Sequence, residues 1–194
     1  MERPSAAHWS AVLRIWYYLL STKDLSLPMG PSGGERNNLK LWAHSDSDWA
    51  GDIDTRRSRT GWLVFIGGAA VAWRSNLQGC HALSATEAEY VAMGDVAKEV
   101  VWWRRLFEDM CWPVDGATEI FVDNKGARLL SKHAGQFNAS KHISLRYHAI
   151  RAWVERGWVR AMEVRGEDNV ADILTKNAPV LNFKRLVMPA FVEN

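Results

Sequence analysis

Gly61-Trp-Leu-Val-Phe-Ile-Gly-Gly-Ala-Ala-Val-Ala-Trp73 holds two apolar β-runs around a two-residue Gly67-Gly68 turn, a strong hairpin signal. One more strand precedes it. Leu39, Leu41 and Ala43 alternate with Lys40, Trp42 and His44, and this run ends at Asp46. Three antiparallel strands therefore come before the first long helix. That helix opens at Ser84-Ala-Thr-Glu87, the pattern of a capping box in which Ser84 is the N-cap and Glu87 reaches back. Its apolar stripe is Ala85, Ala92/Met93, Val96, Val100, Trp103, Phe107 and Met110, in helical steps of three and four. Glu89 falls within that stripe and Glu87 does not.

Further along, Glu119-Ile-Phe-Val122 reads as a short buried strand of the parallel kind, ending at Asp123. Asn124–Ser131 and Lys141–Arg156 have helical patterns, and Trp158–Val164 reads as a fifth strand. Asn169–Lys176 and Leu181–Val187 close the chain as helices, with Pro179 and Pro189 as breakers. The order βββ-α-β-α-α-β-α predicts an α/β fold with a mixed five-stranded sheet, three strands antiparallel and then two more, flanked by helices. Ahead of it, His8–Ser21 is helical, with Trp9, Val12, Leu13, Trp16, Leu19 and Leu20 on one broad face. The Pro-, Gly- and Asn-rich stretch that follows reads as a linker. The expected divisions are a helical segment over 1–25, a linker over 26–38, the main domain over 39–188 and a tail over 189–194.

The 194 residues are 47% hydrophobic, enough for one domain with a core plus an appendage. Lys and Arg number 24 against 22 Asp and Glu, so the balance neither demands nor excludes nucleic acid. Two groups of arginines, Arg56/Arg57/Arg59 and Arg146/Arg151/Arg156/Arg160/Arg165, are either a solvated surface or a nucleic-acid face. Two cysteines, Cys80 and Cys111, lie far apart without metal-ligand spacing, which excludes a disulfide framework and a zinc site and fits a reducing, intracellular setting. The apolar run Ile15–Leu20 is too short to span a membrane. Among the 11 tryptophans, Trp42, Trp62, Trp73, Trp103 and Trp153 follow strand or helix periodicity and are expected in the core. Trp49 reads as core as well, with the edge of a substrate groove as the other reading.

Four carboxylates stand at the rims of apolar segments: Asp46, Glu89, Asp123 and Asp172. Taken singly, Asp46 reads as a turn former ahead of Gly51, Asp123 as a helix cap, and Asp172 as the acid of a second capping box three residues after Asn169. Glu89 resists such a reading, because a glutamate in a buried stripe needs a partner or a metal. If the four converge, they repel one another unless a divalent cation binds among them. That combination points to metal-dependent hydrolysis of a phosphodiester.

Several motifs in order then carry a resemblance. Ser45-Asp-Ser-Asp-Trp-Ala-Gly-Asp52, Arg57-Ser-Arg-Thr-Gly61, Ala82-Leu-Ser-Ala-Thr-Glu-Ala-Glu-Tyr-Val-Ala92, Phe121-Val-Asp-Asn124, Lys141-His-Ile-Ser-Leu-Arg-Tyr-His-Ala-Ile-Arg151 and Ala171-Asp-Ile-Leu-Thr-Lys176 resemble the ribonuclease H domain of copia-type LTR retrotransposon polyproteins. Arg3–Trp9 through Tyr18–Asp24 is similar to the end of the reverse transcriptase just upstream in such polyproteins. The resemblance implies the ribonuclease H-like fold and hydrolysis of the RNA strand of RNA/DNA hybrids during reverse transcription, with a catalytically decayed or non-catalytic hybrid-binding module as the alternative. It implies two Mg2+ ions, with Mn2+ as a substitute, held by Asp46, Glu89, Asp123 and Asp172, and it implies the reverse transcriptase domain of the same polyprotein as a partner. The setting it implies is the cytoplasm, in a retroelement particle, or the nucleus, and it leaves the oligomeric state open. Asn124 is a candidate contact to the substrate backbone, its other role being helix N-cap. Cellular ribonucleases H carry a histidine loop before the last aspartate, whereas Arg165-Gly-Glu-Asp-Asn-Val170 has none. His142 and His148 are therefore candidate substitutes, with a structural role as the alternative.

Overall fold

A computed structural model describes residues 4–27, 40–132, 149–177, 179–187 and 192–193 of the chain. Helix α1 (Ala6–Ser21) and the two-residue strand β1 (Leu25–Ser26) come first. Strands β2 (Leu41–Asp48), β3 (Arg59–Ile66) and β4 (Ala69–Leu77) lead into α2 (Ala85–Asp109). Then come β5 (Thr118–Val122), α3 (Lys125–Lys132), a helical stretch over 149–155 (α4) and β6 (Val159–Glu163). Two 3-10 segments, Gly166–Asp168 and Val170–Leu174, precede α5 (Val180–Val187) and β7 (Val192–Glu193).

The main sheet has the order β4-β3-β2-β5-β6, antiparallel through β4, β3 and β2 and parallel from β2 to β5 to β6. The mixed five-stranded sheet expected from the sequence is thus present. Gly67 and Gly68 form the hairpin turn with φ of 58° and 92°, a left-handed pair that residues with a Cβ rarely adopt. Beyond the turn the hairpin is longer than its apolar run, because β4 continues through the polar Arg74-Ser75-Asn76. A bulge between Val64 and Phe65 accommodates the sheet's twist.

One face of the sheet is closed by α2. Leu41 and Ala43 of β2, Trp62 and Val64 of β3, Ile120 and Val122 of β5, and Val159 and Ala161 of β6 alternate onto that face. There they meet Tyr90, Met93, Val96, Ala97 and Val100 of α2 and Ile150 of α4. Removing about 25 cal/mol per Å2 of such apolar surface from water drives the assembly. The stripe read from the sequence is right in its middle and wrong at its ends, since Ala85 is exposed and Met110 is 61% exposed where the helix outruns the sheet. The opposite face carries aromatic pairs instead. Trp42 stacks on Phe65 at 5.4 Å, and His44 stacks on Phe121 at 4.9 Å.

Several expectations need correction. The first sheet strand runs two residues past Asp46, because β3 keeps pairing with it through Asp48. Asn169–Lys176 is not an α-helix. Asn169 caps Ala171, and Val170–Leu174 winds as a 3-10 segment. Glu87 does not close the capping box, since its Oε2 accepts from the N–H of Leu83, one residue before the N-cap, at 2.6 Å, and it is buried. Trp62 is in the core, but Trp73 is 55% exposed on the outer strand and Trp49 is half exposed, its indole donating to the Ala82 carbonyl. The first half of the expected helix Lys141–Arg156, with His142, Arg146 and His148, lies outside the described residues.

Helix α1 buries none of its residues, in keeping with an element that has no core of its own. It is still attached. Tyr18 meets Phe183 of α5 edge-on at 6.1 Å, and β1 pairs antiparallel with β7. Arg185 of α5 in turn donates to Asp168 Oδ1 at 3.0 Å and to the Glu167 carbonyl.

Gly61 pairs across from Asp46, and the 3-10 segment passes directly over it. A Cβ there would lie 2.6 Å from Thr175 Cγ2, 2.9 Å from Leu174 Cβ and 3.0 Å from the Ala171 carbonyl oxygen. Gly61→Ala is expected to cost about 1–3 kcal/mol by forcing this segment off the sheet. Urea denaturation of the two proteins measures it, and an unchanged midpoint would show that the segment is not held by that close approach.

Candidate metal centre

β2 and β5 pair only from Trp42–Glu119 to His44–Phe121, after which they part. Three acids gather in that parting, the kind of crevice beyond strand ends where open α/β sheets place ligand groups. Asp46 lies two residues past the last pair on β2, and Asp123 follows the last residue of β5. The N–H of Ser47, which β5 no longer reaches, donates to Glu89 Oε1 at 3.1 Å. Glu89 of α2 is thereby held in the gap between the strands. One carboxylate oxygen from each of Asp46, Glu89 and Asp123 lies within 4.8 Å of the others.

These acids are set apart from ordinary surface carboxylates by burial. Asp46 is 1% exposed and Glu89 6%. Asp46 Oδ1 and Glu89 Oε2 have no hydrogen-bond partner at all. Burial pushes the Glu89 carboxyl up to about 8, and the charges of Asp46 and Asp123 push the same way against the Ser47 hydrogen bonds. Burial also pushes Asp46 up to about 6, opposed by the Thr175 hydroxyl and Lys176 and assisted by Asp172 and Asp123. Two orphaned, acceptor-only oxygens beside a third carboxylate suit a hard divalent cation with oxygen ligands, so the residues present fit Mg2+ or Mn2+.

Asp172 is near this set but not in it. Its Oδ1 accepts from Lys176 Nζ at 2.6 Å, and the same ammonium is 3.5 Å from Asp46 Oδ2. Thr175 Oγ1 donates to Asp46 Oδ2 as well. Burial works against the ammonium's charge, but the Asp172 hydrogen bond and the surrounding carboxylates outweigh it and hold its pKa above the ordinary lysine range.

Asn169 fastens this last segment to the sheet. Fully buried, it donates to the Ser45 carbonyl at 2.9 Å, and its Oδ1 accepts from Ala171 N and lies 3.3 Å from His44 Nδ1. With the amide oxygen accepting, Nδ1 carries the imidazole proton. Burial lowers the His44 pKa to about 4 against the Asn169 hydrogen bond, so the ring stays neutral. Sequence reading passed over Asn169, Thr175 and Lys176 as positions at the site. The one available signal was that all three sit within a few residues of Asp172.

Asn124 serves as the helix cap, its Oδ1 accepting from Ala127 N at 3.0 Å. Among the described residues, several of these arginines are already engaged. Arg57 donates to the Gln78 carbonyl, Arg160 pairs with Glu119, Arg165 pairs with Glu167 and Asp168, and Arg156 lies over the Trp158 ring. Beside Thr175 and Lys176 is an open groove of about 620 Å3, bordered also by Asp48, Asp52, Arg59 and Ser75.

A five-stranded sheet of this order, with its acids at the β2/β5 parting, is the ribonuclease H-like fold. LC11-RNase H1, isolated from compost, superposes on it with a TM-score of 0.53 over 70% of this chain and 92% of that one, at 16% identity. The same protein in complex with an RNA/DNA hybrid gives 0.50 over 70% and 93%, at 15% identity. The retrovirus-related Pol polyprotein from transposon TNT 1-94 of Nicotiana tabacum is 37% identical over 95% of the chain, and that from transposon RE2 of Arabidopsis thaliana is 35% identical over 91%. No family model matches. The chain belongs to the copia-type retrotransposon Pol family and is its ribonuclease H-fold domain. It spans only 13% and 12% of the length of those two relatives.

The raised carboxyls make a pH signature. A group with a raised folded-state pKa lends stability below its unfolded value and loses it as pH climbs through the folded one. For Asp46 and Glu89 the loss runs from about pH 4 through about 6 and about 8. In EDTA the thermal midpoint should therefore fall across that range. Added Mg2+ should raise it more at pH 8 than at pH 6, because binding requires the carboxylates unprotonated. A Mg2+ shift that is equal at both values would mean that these acids do not hold the ion.

Proposed function

We propose that this domain cleaves the RNA strand of RNA/DNA hybrids during reverse transcription of a retroelement, by metal-assisted phosphodiester hydrolysis. The observation that carries this reading is the meeting of Asp46, Glu89 and Asp123 with two orphaned oxygens directed at no protein donor. The family and the fold support the same assignment. Divalent ions held there would supply an activated water and neutralise charge developing on the scissile phosphate and its 3′ leaving oxygen. Products would carry 5′-phosphate and 3′-hydroxyl ends.

The chain's own residues do the positioning. Asp46, rigid in β2 and bonded to Thr175, fixes the centre of the acid set. Glu89 is oriented by the Ser47 N–H, which leaves its second oxygen buried and without a protein partner. Asn169 holds the Asp172 segment against β2, and Asp172 serves the site from the far side of Asp46. The groove beside the acids is lined by Arg59 and Lys176 together with Asp48, Asp52 and Asp54, so a sugar-phosphate backbone there would be met by Arg59 and by Lys176 once it leaves Asp172. The half-exposed Trp49, on the loop that follows β2, would border the hybrid's path with its indole anchored on the Ala82 carbonyl. Recognition through backbone, groove shape and the 2′-hydroxyl makes cleavage largely independent of sequence. We assign α1 to the end of the preceding reverse transcriptase, whose surface would cover its exposed Trp9, Ile15, Trp16 and Leu19.

Incubation with an end-labelled RNA/DNA hybrid and Mg2+ tests the assignment. The wild-type chain is expected to cut the RNA strand, and Asp123→Asn or Glu89→Gln to slow it by at least about a hundredfold. Hybrid binding without cleavage by the wild type, or full activity in Asp123→Asn, would reject it.

A further inference from the structure

The two sides of Asp46 are chemically unlike. Oδ1 is buried without a partner, and Asp46 offers one of its oxygens to the crevice shared with Glu89 and Asp123. Oδ2 is already engaged by the Thr175 hydroxyl and faces the Lys176 ammonium at 3.5 Å. That ammonium is 2.6 Å from Asp172 Oδ1, so it stands between two carboxylates. Its placement is built into the backbone. The N–H groups of Thr175 and Lys176 both donate to the Asp172 carbonyl, at 3.2 and 3.0 Å, which folds the segment back so that Lys176 returns over Asp172. With a 44% exposed side chain, Lys176 has room to swing into solvent.

A buried carboxylate beside a second acid needs positive charge between them. Here the chain supplies that charge itself. An ammonium held between two carboxylates opposes a divalent ion in the same place, because the two cations repel at that distance and compete for the same negative charge. We propose that Lys176 is a tethered cation standing in for the second metal ion between Asp46 and Asp172. The resting domain then takes one divalent ion, at Asp46, Glu89 and Asp123, and a second enters only when Lys176 is displaced. A substrate phosphate is the natural agent of displacement, since it offers the ammonium another anion beside the groove that Lys176 lines. Lys176 is thus a positioning residue that links loading of the second ion to arrival of the hybrid. The proposal rests on reading the acids as a metal site, and its test separates the two.

The test is ion stoichiometry in the absence of nucleic acid, by calorimetric titration with Mg2+ and by the electron paramagnetic resonance of bound Mn2+. Wild type and Lys176→Arg are expected to bind one ion per chain with the spectrum of an isolated Mn2+. Lys176→Met is expected to bind two, the second at least about tenfold tighter than in wild type, with the spectrum of a coupled pair. Two ions in wild type, or one in a folded Lys176→Met, overturns the inference and leaves the metal site standing. No ion in any of them overturns both. If Lys176→Met does not fold, Asp172→Asn decides. Its single-ion affinity should stay within about twofold of wild type while Asp123→Asn lowers it at least about tenfold. A large loss in Asp172→Asn would place the first ion on the side assigned to Lys176 and overturn the inference.

Discussion

The parting of β2 from β5 after His44 is the constraint on which the rest depends. While the strands run together, from Trp42 to His44, β2 is fixed by ladders on both sides, and Asn169 is the polar side chain that meets it there, at His44. Once β5 turns away, the backbone N–H of Ser47 is left without a strand partner and a gap opens through the sheet. A buried donor left unpaired costs about 1–3 kcal/mol, and Glu89 reaches in from α2 to accept it. The same gap lets Asp46 and Asp123 approach from the two separating strands. The carboxylate that repairs the sheet is therefore also the one that creates the accumulation of negative charge.

That accumulation is costly without cations, and the chain meets the cost unequally on its two sides. Toward β5 the oxygens are left bare. Toward the 3-10 segment they are met by Thr175 and Lys176, in a stretch seated by Asn169 and admitted by the missing side chain of Gly61. The asymmetry is a property of local packing. Helix α2 can present only one long acid to the gap, while the 3-10 segment brings a hydroxyl, an ammonium and a carboxylate in a handful of residues.

Much of this was legible in the sequence. The Gly67-Gly68 hairpin announces itself because glycines take a left-handed two-residue turn without strain. Glu89 is visible because a charged residue in a helical stripe is a contradiction that periodicity exposes. Asp123 is visible because it ends an apolar strand ahead of a helix. Asp46 needed the order of motifs, since β2 continues past it and its strand-end character was only apparent. The 3-10 segment was misread as α-helix because Val170–Leu174 is too short for its period to be told from the pattern. That error hid Thr175 and Lys176, whose directions depend on the tighter winding. Gly61 and Asn169 matter through contacts with residues more than a hundred positions away, which no local pattern encodes. Trp73 was misplaced for the opposite reason, since it has strand periodicity but stands on the outer strand of the sheet.

The outlying parts of the chain are joined to the last acid by a continuous run of contacts. Tyr18 of α1 touches Phe183 of α5, Arg185 of α5 holds Asp168 and Glu167, and the next residue is Asn169, which seats the Asp172 segment. The short β1–β7 pairing closes a second link between the same two ends. A helix without a core of its own is thereby geared to the fourth carboxylate. A surface that held α1 would therefore touch the same run of contacts that seats the Asp172 segment, without reaching the acids themselves.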